Sequence, residues 1–309
     1  MICLGGSVAI GISSNSWLII WMMLEMNVLS FCSIMTKNKK NNSYNEKMKY
    51  FIIQSIASSI LISSMSTQNV TEMLFMYTLA TMSLIMKLGA IPMHSWYCRM
   101  LKKLSWKLML ILMTIQKILG IYLMSFTKSK VEFMALAAIV TSTIIQTNKT
   151  NFLENLAISS LFNMGLMMLC ISLSMSATAI FIFMYILATL QILLMSKMLL
   201  SMKETQQNKM NMNKFLTMSN LANLAGIPPS LGFLSKWVIS MEMSMKNKMA
   251  PLTLMLSMSS MNLYVYMRCF INKFMKLTKN NQQSTTHNTK TKMMILLNTI
   301  FTPVMLVTL

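Results

Sequence analysis

The sequence contains no aspartate, and seven glutamates carry all of its formal negative charge. Only 11% of its residues are charged and 55% are hydrophobic, with a mean hydropathy of +0.56. A soluble domain carries about 25% charged residues, so the composition excludes an ordinary water-soluble surface and points to the bilayer. Glycine (8) and proline (5) are scarce in 309 residues, which makes each cluster of them informative. The five cysteines (Cys3, Cys32, Cys98, Cys170, Cys269) form no CxxC pair and have no CxxxH neighbour. Scattered in apolar runs they read as small buried hydrophobes, which excludes a disulfide framework, a zinc site or an iron–sulfur cluster. Neither GxGxxG nor GxxxxGK[ST] occurs, so nucleotide binding is excluded and no cofactor or metal is expected on this chain.

What is abundant is basic charge and methionine. The net charge of +20 does not indicate nucleic acid. Lys and Arg sit in short clusters between long apolar segments rather than along a stripe with aromatic readers. The 40 methionines replace Ile and Leu on lipid and core faces, because soft-metal sites need clustered MxxM with His or Cys, and none stands out. Residues 1–12 lack the charged leader and cleavage site of a signal peptide, and they are short for a span, which needs about 17 residues. The first helix is expected to be truncated, tilted or assisted by a partner.

Apolar segments near 1–13, 16–35, 48–65, 72–97, 104–126, 131–148, 152–174, 177–201, 214–241, 250–272 and 292–309 predict about eleven spans. Lipid offers no hydrogen-bond partners, so each is expected to be a helix. The expected architecture is an all-α membrane helix bundle forming one transmembrane domain over 1–309. Assigned alternately to two sides, loops 36–47, 98–103, 149–151, 202–213 and 273–291 collect about twenty Lys and Arg, and the opposite loops about four. The basic side is the inside, which places the N-terminus inside and the C-terminus outside. His287, in the polar loop 273–291, reads as a solvated histidine.

Four ionisable residues lie within apolar runs: Glu25, Lys87, Lys117 and Lys236. A charge at mid-bilayer costs at least about 2.5–3.5 kcal/mol, so it normally faces protein or water and has a task. Low dielectric favours the neutral form of an ionisable group and a nearby opposite charge favours the charged form, so a Glu–Lys couple can hold or release a proton as it closes or opens. Three of them have a structural alternative: Lys87 snorkelling to the inside surface, Lys117 in a buried ion pair for assembly, Glu25 as a hydrogen-bonded protonated carboxyl. Two helix breaks accompany them. GIPPSLGF at 226–233 places Pro228 and Pro229 just before Lys236, and LGAIPMHSW places Pro92 between Lys87 and His94. Paired broken helices are a transporter feature, against the simpler reading of a proline kink. His94 reads equally as a proton relay or as a helix-end residue bonded to a freed carbonyl.

KLGAIPMHSWY, MTIQKILG and AGIPPSLGFLSKW resemble, in order and spacing, the three lysine-bearing motifs of the antiporter-like proton-channel subunits of respiratory complex I, and SNSWLIIWMMLEMNVLSF resembles the glutamate helix of that family. The similarity covers nearly the whole chain and is nearest to short animal members. The methionine content suits a metazoan mitochondrial gene. The resemblance implies an inverted-repeat antiporter fold with a core near 16–241 followed by C-terminal helices at 250–309. It also implies the mitochondrial inner membrane, with the N-terminus in the matrix and the C-terminus in the intermembrane space. Glu25 and Lys87 would be the tuning pair, Lys117 the central relay and Lys236 the terminal donor to the outer half-channel. The implied partners are other membrane-arm subunits and lipids, not a second copy of the chain. NADH, flavin, iron–sulfur clusters and ubiquinone would be used by the rest of the complex. The chain departs from the family at Asn163, where a histidine is common, so a relay there would rest on water or on Ser159 and Ser160. The competing functions are a stand-alone cation/proton antiporter, which the lack of acidic cation ligands disfavours, and an inert scaffold, which the four retained charges disfavour.

Overall fold

The computed structural model describes residues 1–37, 43–66, 73–149, 151–201, 223–227 and 230–278. Within them the chain is helical, with no strand. The helices are α1 (Ile2–Ser13), α2 (Trp17–Lys37), α3 (Ser43–Ser66), α4 (Met73–Leu88), α5 (Ser95–Lys103), α6 (Trp106–Met113), α7 (Ile115–Met124), α8 (Lys128–Thr147), α9 (Phe152–Leu173), α10 (Met175–Ser201), α11 (Leu231–Met245) and α12 (Met249–Thr278). The stretches Trp17–Thr36, Asn45–Met65, Trp106–Thr127 and Leu153–Leu173 are long and apolar enough to cross a membrane unaided, while Ile2–Ser13, Met76–Leu88, Val131–Thr147 and Met175–Gln191 are apolar but shorter. The predicted span 292–309, Pro228 and Pro229 lie outside the described residues. Chain contacts divide the protein into two compact units, Met1–Thr178 and Ala179–Leu309.

In the first unit α2, α3 and α4 pack in sequence, α7 lies against α1, α4 and α9, and α8 and α9 form a closely packed hairpin. That hairpin is started well at its second helix. Asn151 takes the extended N-cap conformation and its side-chain amide donates to Glu154 Oε1 at 3.1 Å, which puts an acid in the first turn, where the helix dipole favours it. The predicted span 72–97 is divided at the expected place. Gly89 has φ +66, its N–H donates to Met86 O, and the Ala90 N–H donates to Ile85 O, the double bond pattern of a Schellman stop. A Cβ on Gly89 would also meet Tyr97 Cβ at 2.8 Å, so glycine is required twice over. Pro92 follows, and α5 starts after His94.

Three loops assigned to one side do meet. Lys102 and Lys103, in the last turn of α5, reach two different helix starts. Lys103 Nζ lies 2.6 Å from Glu46 Oε1 of α3, and Lys102 Nζ lies 2.9 Å from Glu154 Oε1 of α9, with Lys149 Nζ 3.7 Å from Glu154 Oε2. The side chain of Glu46 is 4% exposed and that of Lys103 49%, so solvent screens this pair from the lysine end.

One predicted span is interrupted where no break was expected. The segment 104–126 reads as a single helix, but Thr114 has φ −113 and ψ −81 and separates α6 from α7. Its hydroxyl donates to Leu110 O at 2.8 Å, and its own carbonyl accepts the Lys117 N–H at 3.1 Å. Thr141 makes the same bond to Ala137 O at 2.7 Å inside the unbroken α8, so the hydroxyl bond accompanies the break without by itself causing it.

In the second unit Asn223–Ala225 form a short helical turn closed by Gly226, whose φ is +78 and whose N–H donates to Asn223 O. Ser230, in the extended conformation, opens α11. Leu231 and Leu234 of α11 pack on Met184 of α10, with Ile180 and Leu187 beside them.

Candidate functional site

The first unit holds a cavity of about 30 Å³, which is room for about two water molecules. Both Lys87, from the last turn of α4, and Lys117, from the first turn of α7, line it. Asn27, Tyr50, Gln54, Trp96, Tyr97 and Gln116 supply the remaining polar and aromatic wall. The α4 stop and the Thr114 break bring about this convergence, since each lysine sits within a turn of an interrupted helix.

Lys87 Nζ lies 4.0 Å from Glu25 Oε1 of α2, with side chains 5% and 25% exposed respectively. This is the outer limit of an ion pair and too long for a hydrogen bond. Neither Glu25 Oε1 nor Lys87 Nζ has a hydrogen-bond partner, though both atoms are buried. Lys87 is thus turned into the bundle rather than out towards a surface. Its backbone carbonyl, freed by the helix stop, accepts the Gln54 amide at 2.9 Å.

Lys117 is 3% exposed. Its Nζ donates to Ser160 O at 3.4 Å and stands 4.8 Å from the centroid of the Tyr97 ring. The Tyr97 hydroxyl and Ser160 Oγ are hydrogen-bonded at 2.8 Å. A second polar chain ties three helices beside the cavity. Gln116 of α7 donates to Asn27 Oδ1 of α2 at 3.1 Å, and Tyr50 of α3 donates to Gln116 Oε1 at 3.3 Å. Rings stack edge to face or tilted from Phe31 through Tyr50 and Trp96 to Tyr97, at centroid separations of 5.2, 5.9 and 6.0 Å. Each such pair adds about 0.5–1.5 kcal/mol and holds its wall of the cavity.

Glu25 and His94 are not among the lining residues. Nδ1 of His94 lies 3.1 Å from Pro92 O, beside the break. Ser159 Oγ is engaged with Leu156 O in its own helix, and Asn163 is half-buried in α9. Lys236 belongs to the second unit, where its Nζ donates to Ala225 O at 2.9 Å beside Gly226. There Asn223 Nδ2 donates to Gln191 Oε1.

The site contains residues that a search for charges alone passes over: Asn27, Tyr50, Gln54, Tyr97 and Gln116. Their signal was present in weak form. Asn27 is two residues from Glu25 and Gln116 adjoins Lys117, each a polar side chain in an apolar run.

Interrupted apolar helices that carry lysines to a shared cavity define a polytopic channel or transporter class. The family model described as NADH:quinone oxidoreductase/Mrp antiporter, TM, matches residues 14–71 and 65–263, most of the sequence, and the chain belongs to that family. The NADH-ubiquinone oxidoreductase chain 2 of Anopheles gambiae is 33% identical over 303 residues, covering 91% of this chain and 87% of the mosquito one. Among solved structures, respiratory complex I from Thermus thermophilus with bound Aureothin aligns with a TM-score of 0.74 at 16% identity, over 87% of this chain and 68% of that one. The Mrp complex from Dietzia sp. DQ12-45-1b aligns with a TM-score of 0.72 at 14% identity, over 87% of this chain and 59% of that one. The two structures establish the antiporter-like fold.

Proposed function

We propose that this chain is a membrane-arm subunit of a mitochondrial NADH:ubiquinone oxidoreductase and that it conducts protons through Glu25, Lys87, Lys117 and Lys236. The observation that carries the reading is the cavity shared by Lys87 and Lys117, with the Glu25 carboxylate 4.0 Å from the first of them. A carboxylate moving towards Lys87 strengthens a Coulomb attraction that holds the proton on the lysine, and one moving away weakens it. The proton then passes through cavity water towards Lys117, which Ser160 and the Tyr97 ring hold in place. Lys236, beside the Gly226 turn, acts as the terminal donor. Pro92 keeps the first interrupted segment from closing into a regular helix. His94 remains a candidate relay at the first break.

The chain carries no redox group of its own in this reading. Electrons from NADH travel through flavin and iron–sulfur clusters to ubiquinone in other subunits. The bundle is proposed to have about eleven spans in the inner membrane, the N-terminus in the matrix, and contacts with neighbouring membrane-arm subunits and lipids rather than with a second copy. A stand-alone cation/proton antiporter is the second reading, favoured by the likeness to the Mrp complex. The 33% identity to a chain 2 along most of both sequences favours the first. Gentle solubilisation of the native membrane, then sizing and mass spectrometry, separates them. The expected result is recovery only in a very large assembly with flavin- and iron–sulfur-bearing subunits. Recovery alone or as a small oligomer refutes the proposal.

A further inference from the structure

We infer that Tyr97 is a positioning residue that fixes the ammonium of Lys117 and ties it mechanically to the helix stop below Lys87. The inference rests on the proton-conducting reading above. Tyr97 touches both lysine sites through different atoms. Its ring faces Lys117 Nζ at 4.8 Å, and its hydroxyl bonds Ser160 Oγ at 2.8 Å, while the carbonyl of the same serine accepts the ammonium at 3.4 Å. The lysine is therefore held between a π face and a carbonyl, and one side chain, Tyr97, supports both. Tyr97 is 1% exposed and Ser160 3%, so these contacts are shielded from bulk solvent.

At its Cβ the same residue abuts the turn after Lys87. A Cβ on Gly89 would meet Tyr97 Cβ at 2.8 Å and Trp96 at 3.0 Å. There is no slack between the stop of α4 and the start of α5, so a shift of the Lys87 helix end is transmitted to the residue that carries Lys117. Gln54 and Gln116 hold the flanking helices, Gln54 through the Lys87 carbonyl and Gln116 through Asn27 and Tyr50. Tyr97 combines the two roles.

The test places Tyr97→Phe, Tyr97→Leu, Lys117→Met and the Tyr97→Leu/Lys117→Met pair in the assembled complex. Quinone-coupled NADH turnover is measured per assembled complex. Tyr97→Phe keeps the ring and loses the hydroxyl bond, for an expected loss of about three- to tenfold. Tyr97→Leu loses both contacts and should fall further, by about tenfold to thirtyfold, so that the phenyl ring restores part of what leucine removes. The double variant should be no slower than Lys117→Met alone, since Tyr97 acts through that lysine. Turnover of Tyr97→Leu equal to that of the unsubstituted chain, equal losses in Phe and Leu variants, or additive losses in the pair overturn the inference. Should Tyr97→Leu not assemble, a Tyr97→Phe variant with unchanged turnover overturns it equally. Unchanged turnover in Lys117→Met itself instead overturns the proton-conducting reading on which it stands.

Discussion

Replacing Lys117 by arginine separates a proton carrier from a structural cation. The side chain is 3% exposed, and its ammonium is held by Ser160 O and the Tyr97 ring. Arginine keeps the charge, the carbonyl bond and the stacking, and the adjoining cavity of about 30 Å³ gives the guanidinium space. What it cannot do is give up a proton. The reference values of the two side chains differ by about 2–3 pH units, so release becomes roughly 10²–10³ times rarer before any effect of the site. Methionine provides the complementary loss, an unbranched apolar chain of similar length with no proton at all. Its packing is tolerable because Ser160 O remains within its own helix, and removal of a buried charge together with its desolvation is often neutral for stability. Both variants are therefore expected to assemble and to lose turnover at least tenfold, measured as quinone-coupled NADH oxidation per assembled complex, with proton pumping followed in sealed vesicles. A Lys117→Arg complex that works as well as the unsubstituted one refutes the relay and leaves Lys117 as a structural cation.

The Glu25–Lys87 pair should behave as a unit. At 4.0 Å the attraction is about 4 kcal/mol in an effective dielectric near 20, and screening at the quarter-exposed carboxylate reduces it to about 2 kcal/mol, or roughly thirtyfold in an equilibrium. Glu25→Gln, Lys87→Met and the double variant should accordingly show non-additive losses of turnover, whereas simple addition would mean the two groups act independently. In the second unit, a Cβ on Gly232 would fall on Asn223 O, against the turn whose Ala225 carbonyl binds Lys236. Gly232→Ala should cost about 1–3 kcal/mol or more and appear as reduced thermal stability and less assembled complex. Gly5→Ala, where a Cβ meets nothing within 4 Å, is the control and should be silent or slightly stabilising.

Much of this protein is legible along the chain because a bilayer imposes one-dimensional rules. Backbone groups in lipid must be satisfied within the segment, so apolar length gives helices and Lys/Arg bias pairs the loops, three of which meet through Lys102, Lys103, Glu46, Lys149 and Glu154. The α4 stop was equally local, since Gly89 and Pro92 carry it in their own backbone preferences. Glu25, Lys87, Lys117 and Lys236 stood out as charges in apolar runs, because the cost of burying them is a property of each residue alone.

Tertiary structure decided what those residues face. The break at Thr114 involves neither Pro nor Gly, and the side-chain bond there is one that Thr141 makes within an unbroken helix, so no residue type announced it. That Lys87 and Lys117 share one cavity follows from α2, α3, α4, α5 and α7 meeting around it, with Asn27, Gln54 and Tyr97 contributed from three different helices. Helical period tells which face a residue occupies, but not which other helix that face will meet. Sequence alone therefore determined the helical character, the glycine–proline break after Lys87 and the charges set in apolar runs. Only packing, which depends on shape complementarity between distant segments, selected the partners that make those charges a site.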